Sequence, residues 1–209
     1  MTFTSVHLRV FLAFCVLPGL SLFPSLDAAG AEGQPQSNTE IELNVGPPQA
    51  LHSYSFRGTF SSIDVIGAKV SQEFRAYEVG ASFNLPWLRN SAAGWKSSTR
   101  LLTSAGVLHS ANDTGATVSF TPQVVFDIGS QHRIFSLDMG AGVAVLSAHQ
   151  FGTQDFGGHF QFTLTGGLSI PLNKHFELGY RYLHYSDAGL IGPDTTGADL
   201  HMIELIYLP

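Results

Sequence analysis

"HFQFTLTGGLSI", residues 159–170, alternates Phe160, Phe162 and Leu164 with Gln161, Thr163 and Thr165. Strict period-two alternation sends the two sets to opposite faces of an extended strand. One face is large and apolar while the other is small or polar, which suits a strand standing between lipid and a narrow barrel interior. The following run behaves alike: Phe176, Leu178, Tyr180 and Tyr182 share one parity, and Glu177, Gly179 and Arg181 share the other. A soluble sandwich would bury that aromatic set and solvate the charged one, whereas a membrane barrel gives the aromatic set to lipid. Residues 176–182 fit both, and residues 159–170 favour the barrel.

Working outward, alternating runs fall at 60–71, 75–86, 96–109, 115–128, 132–147, 158–171, 174–186 and 199–208. Eight is an allowed strand number for a small barrel. The breaks at 127–133 and 170–175 are short, while those at 147–158 and 187–198 are long, the turn-and-loop asymmetry of outer-membrane barrels. The expected fold is therefore all-β, an eight-stranded antiparallel transmembrane β-barrel of the outer membrane, with a soluble periplasmic β-sandwich as the weaker alternative. Gly140, Gly142, Gly166 and Gly167 lie within strands, where close backbone packing or bending accounts for them, and no phosphate-binding glycine loop is present.

Composition agrees: 209 residues support one domain, and a chain 44% hydrophobic and 12% charged is too apolar for disorder. A net charge of -6 argues against a nucleic-acid partner. Arg9, the apolar run 10–23 broken by Pro18 and Gly19, and the small residues Ala29 and Ala31 read as a secretory signal peptide over 1–31. Cys15, the single cysteine, lies inside it, so the exported chain carries no disulfide. Residues 32–57, polar and proline-bearing, read as an N-terminal leader, and 58–209 as the barrel domain.

Within the seventh run, His184 and Ser186 continue the parity of Tyr180 and Tyr182, so both project from the lipid-facing side. Their Cα atoms stand about 7 Å apart on an extended strand. A serine becomes a nucleophile only with a base beside it and an acid to orient that base. On the last run Asp199, His201, Ile203, Leu205 and Tyr207 share a parity, and an antiparallel neighbour brings same-face side chains within about 5 Å, so Asp199 can meet His184 at the extracellular rim. Glu204 points inward and cannot. On spacing alone, such a His and Ser are more often ordinary polar residues at the end of a strand. Nine histidines show no metal-ligand spacing beyond Asp199 with His201, short of the three or four ligands a site requires, so no metal or other cofactor is expected. Asn112–Thr114 fits a glycosylation sequon but reads as a loop tip.

Beyond spacing, residues 157–208 resemble the lipid A 3-O-deacylase (PagL) family of outer-membrane acyl hydrolases. The segment Phe160, Gln161, Phe162 is followed by Arg181, Tyr182, His184, Ser186, Ala188 and Gly189, then by a loop with Pro193 and Gly197. The resemblance implies Ser186 as nucleophile, His184 as base and an acid to orient it. The family's glutamate counts onto Ala198, and a loop longer by one residue brings Asp199 into line, as Gly197 is displaced by the same step. It implies an oxyanion region at Asp187, Gly189 and Asp194, where Asp187 and Asp194 replace family asparagines. It implies lipid A, or lipopolysaccharide, as substrate and the membrane as partner, with a homodimer as a further option. The rival expectation is an inactive or structural barrel of the same family.

Overall fold

The computed structural model describes residues 51–63, 65, 66, 72–92, 94–129, 132–188, 190 and 197–209. The signal peptide expected over 1–31, the leader up to residue 50, Gly189 and Asp194 lie outside them. Ten strands follow in order: β1 (Leu51–Ser61), β2 (Phe74–Ala92), β3 (Trp95–Ser110), β4 (Asp113–Ile128), β5 (Phe135–Leu146), β6 (Gln150–Phe151), β7 (Gln154–Asp155), β8 (Phe160–Pro171), β9 (Phe176–Ser186) and β10 (Ala198–Tyr207). All but β6 and β7 form one closed antiparallel barrel, β1-β10-β9-β8-β5-β4-β3-β2. Closure leaves no sheet edge, which a spanning structure in lipid requires. The fold is an eight-stranded transmembrane barrel of the outer-membrane type, and the sandwich is excluded.

Seven barrel strands fall where the alternation puts them, and the first does not. The alternation predicts a strand over 60–71, of which 64 and 67–71 lie outside the described residues, yet β1 occupies Leu51–Ser61, so the barrel begins inside the stretch expected as leader. Ser53, Ser55 and Arg57 give β1 a polar appearance, but they belong to its inner face, while Tyr54 and Phe56 are exposed outside. A barrel with a polar interior turns a polar-looking segment into a good strand. The long break 147–158 also departs from expectation, since it contains the two-stranded hairpin β6–β7.

Parity decides what each side chain meets. Along β9 the even residues face out and Glu177, Leu183 and Tyr185 face in, and along β10 Ile203, Leu205 and Tyr207 face out while Met202 and Glu204 face in. Inside, charges are paired. Arg57 meets Glu78 at 2.5 Å, Tyr185 Oη donates to Glu78 at 3.0 Å, and Arg181 bridges Glu204 at 2.9 Å and Asp138 at 2.8 Å. Toward the long-loop end the interior becomes apolar: Phe74, Phe151 and Phe156 pack edge to face at 5.6–5.8 Å with Leu108, Leu146 and Leu200 around them. Phe151 and Phe156 come from the hairpin and its flank, so the hairpin closes the barrel mouth. At Gly140 and Gly142 an added Cβ would lie 2.2 Å from the carbonyl oxygens of Pro122 and Phe120, so only glycine lets β5 approach β4 this closely.

A buried ion pair that loses one member leaves an unpaired charge. Arg57→Met is expected to lower barrel stability by about 3 kcal/mol, since among the described residues Glu78 would keep only the Tyr185 hydroxyl. Urea unfolding in lipid vesicles measures it, and a change under about 0.5 kcal/mol would contradict the electrostatic account.

Candidate active site

The strand ends joined by residues 62–73, 147–159 and 187–197 lie at one end of the barrel, the extracellular end by loop length, together with the tight turn at Ala111 and Asn112. The candidate residues sit there on the outer wall. Asp199 is the direct register partner of His184, and His184 Nδ1 lies 2.5 Å from Asp199 Oδ1. Across the other strand boundary Leu164 pairs with His184 and Phe162 with Ser186, so the site is flanked by apolar side chains of β8. The expectation from strand parity that Asp199 reaches His184 matches this geometry.

Asp199 is outward by parity yet only 2% exposed. Its Oδ1 also accepts the Tyr182 hydroxyl at 2.8 Å, and its Oδ2 accepts backbone N–H groups from Val65 and, at 2.7 Å, Ile66. Four donors satisfy a carboxylate that would otherwise be costly at a lipid boundary. With the carboxylate accepting at Nδ1, His184 carries its proton there and leaves Nε2 as the free acceptor. The histidine side chain is 13% exposed, open enough to meet a partner on its other edge.

Ser186 ends β9. Its Oγ accepts the Ala188 N–H at 2.9 Å, and Ala188 takes a left-handed φ of 57°, so the chain turns sharply just past the serine. No hydrogen bond joins Ser186 to His184 among the described residues; such contacts often tighten only when substrate binds. Asp187, one residue past the end of β9, is buried while Ser186 is half-buried. Gly197 fits closely against the site: a Cβ there would lie 2.2 Å from the Tyr185 carbonyl and 3.2 Å from His184 Cε1. The hairpin adds support, since Gln154 donates to the Gly197 carbonyl.

His201, weighed as a metal ligand with Asp199, is engaged elsewhere: its Nε2 donates to the Ile63 carbonyl at 3.0 Å and its Nδ1 accepts the Tyr180 hydroxyl at 2.7 Å. No group of three His, Cys, Asp or Glu side chains suited to a metal occurs among the described residues. A separate cleft of about 640 Å³ lies over β2 and β3, lined by Gln72, Arg75, His109 and Thr153, and includes none of the three candidate residues. Sequence reasoning did not assign Tyr182 to the site. The available signal was its position two residues before His184 on the same face, diagonal to Asp199 across the strand pair.

Comparison with known proteins bears on this arrangement. The chain is 29% identical to the lipid A deacylase PagL of Pseudomonas aeruginosa over 136 residues, 62% of this chain and 75% of that protein. It is 33% identical to the lipid A deacylase PagL of Bordetella bronchiseptica over 73 residues, 35% of this chain and 39% of that one. The crystal structure of the outer membrane enzyme PagL superposes with a TM-score of 0.59 at 18% identity, over 75% of this chain and 99% of that one, a likeness of fold. The family model described as lipid A 3-O-deacylase (PagL) matches residues 75–207, every barrel strand but the first, and on that match the chain belongs to the lipid A 3-O-deacylase (PagL) family.

Proposed function

We propose that this protein is a carboxylic ester hydrolase that removes the 3-O-linked acyl chain of lipid A, with Ser186 as nucleophile, His184 as general base and Asp199 as the acid that orients it. The observation that carries the reading is the 2.5 Å contact between Asp199 and His184 on the lipid-facing wall, with Ser186 two residues past His184 on the same face. Ser186 Oγ gives its proton to His184 Nε2 and attacks the ester carbonyl, forming a tetrahedral oxyanion. Collapse breaks the bond to the sugar oxygen, which takes the proton from His184, and leaves an acyl-serine that water cleaves by the same route to a free fatty acid. The substrate need not leave the bilayer, because the nucleophile stands on the barrel wall.

The oxyanion requires N–H donors. Asp187, Gly189 and Asp194 form the region the family pattern assigns, and with the Asp187 side chain buried the donors in this reading are backbone amides of the turn after Ser186. Export through the signal sequence at 1–31 and residence in the outer membrane of a Gram-negative cell complete the proposal. A second reading, a barrel without hydrolase activity, draws on the aspartates at two family asparagine positions and on Ser186 Oγ being bonded to Ala188 rather than to His184.

Expression in a host that makes lipid A, with the lipid A weighed by mass spectrometry, separates the two. The expected result is a species lighter by one hydroxyacyl chain. Unchanged lipid A beside a barrel whose heat-modifiable gel shift proves it folded would decide for the inactive barrel.

A further inference from the structure

Pairing between β1 and β10 runs from Tyr54 with Tyr207 up to Ser61 with His201, with a register shift between Thr59 and Ser61. Above His201, no ladder partner for Asp199 or Leu200 on that side occurs among the described residues. The chain just beyond β1 reaches β10 here. It is held at two points that lie two residues apart on the outer face of β10: His201 Nε2 donates to the Ile63 carbonyl, and Asp199 Oδ2 receives the N–H groups of Val65 and Ile66. The side chains of Ile63, Val65 and Ile66 are 71%, 65% and 44% exposed, so the described attachment is made by backbone atoms and not by side-chain packing.

Each oxygen of Asp199 thus receives two donors, Tyr182 and His184 on Oδ1, and Val65 and Ile66 on Oδ2. A carboxylate held by one donor swings about its last bond; one held from both sides does not. We infer that Tyr182 and the Val65–Ile66 backbone form a clamp that fixes Asp199, making Tyr182 a positioning residue for His184 and the segment after β1 a part of the active site contributed from over 130 residues away in sequence. The inference rests on the proposed roles of His184 and Asp199 for its catalytic meaning, but the clamp itself has a readout that needs no activity.

That readout is the Nδ1 proton of His184, followed by nitrogen-resolved NMR on the full chain folded in detergent micelles and assigned by its loss in His184→Gln. In the parent protein the proton is expected to exchange slowly with water. In Tyr182→Phe it is expected to exchange at least about tenfold faster, in keeping with loss of one hydrogen bond to a charged group. The amides of Leu178 and Leu205, paired inside the two strands and away from the clamp, are expected to keep their exchange rates. His201→Leu, which frees Ile63 while keeping Tyr182, is expected to act in the same direction and serves if Tyr182→Phe fails to fold. On lipid A, Tyr182→Phe should lower kcat about tenfold with KM unchanged. A proton that exchanges fast in the parent protein, or at the same rate in the variants, overturns the clamp. Slow exchange with the expected acceleration, in a protein that leaves lipid A intact, would sustain the clamp and remove the hydrolase reading.

Discussion

Ser186→Ala is expected to abolish acyl release from lipid A, a fall of about 10⁶-fold that brings the rate to the residual level set by binding and oxyanion contacts. The change removes one oxygen from a half-buried position at the end of β9, where the hydroxyl accepts a single backbone hydrogen bond from Ala188. No core contact depends on it, and the loss of that bond to stability is about 1 kcal/mol. The variant should therefore insert, fold and show the same heat-modifiable mobility as its parent. That separation matters in a membrane enzyme, because a catalytic variant that also fails to insert leaves lipid A unchanged for a trivial reason. Mass spectrometry of lipid A from cells making equal amounts of folded parent and variant reads the outcome directly. A variant retaining even a hundredth of the parent rate would remove Ser186 from the nucleophile's role.

The outer wall of this site was legible in sequence because β9 and β10 pair without a register shift, so the period of two holds along both. Once Phe176, Leu178, Tyr180 and Tyr182 are assigned to lipid, His184 and Ser186 have no other side to occupy, and the parity of Ile203 and Leu205 puts Asp199 on that side of the next strand. Their meeting needed only antiparallel adjacency, which the register provides. The first strand was not legible for the converse reason. Apolar residues normally signal a strand, yet Ile63, Val65 and Ile66 lie beyond β1 on the outside of the barrel, while Ser53, Ser55 and Arg57 belong to the strand proper, facing a polar interior. The donors to Asp199 from Val65 and Ile66 are backbone groups, identical in every residue but proline, so no side-chain pattern announces them. The closing of the barrel mouth was hidden in the same way: Phe151 and Phe156 flank and belong to strands only two residues long, below the length at which alternation has a period to read.

The donors around Asp199 make Asp199→Asn a severe change despite its near-identical shape. Both carboxylate oxygens act as acceptors, one for Tyr182 and His184 and the other for the Val65 and Ile66 amides. An asparagine has one such oxygen. If that oxygen serves the two backbone amides, its NH₂ group faces His184 Nδ1 and drives the imidazole into the tautomer with its proton on Nε2, which cannot take a proton from Ser186. If the oxygen faces His184 instead, the NH₂ group confronts two N–H donors, and the segment after β1 must move away. Either arrangement disables the base or dismantles its support, and loss of the correct tautomer in a Ser-His-acid site costs about 10⁴-fold in kcat. The expected result is a kcat for lipid A deacylation lower by about that factor, with KM close to the parent value because Asp199 is covered and does not face the lipid substrate. Activity within about tenfold of the parent would show that another group orients His184 and that the Asp199 contact serves only to hold β10 against the segment after β1.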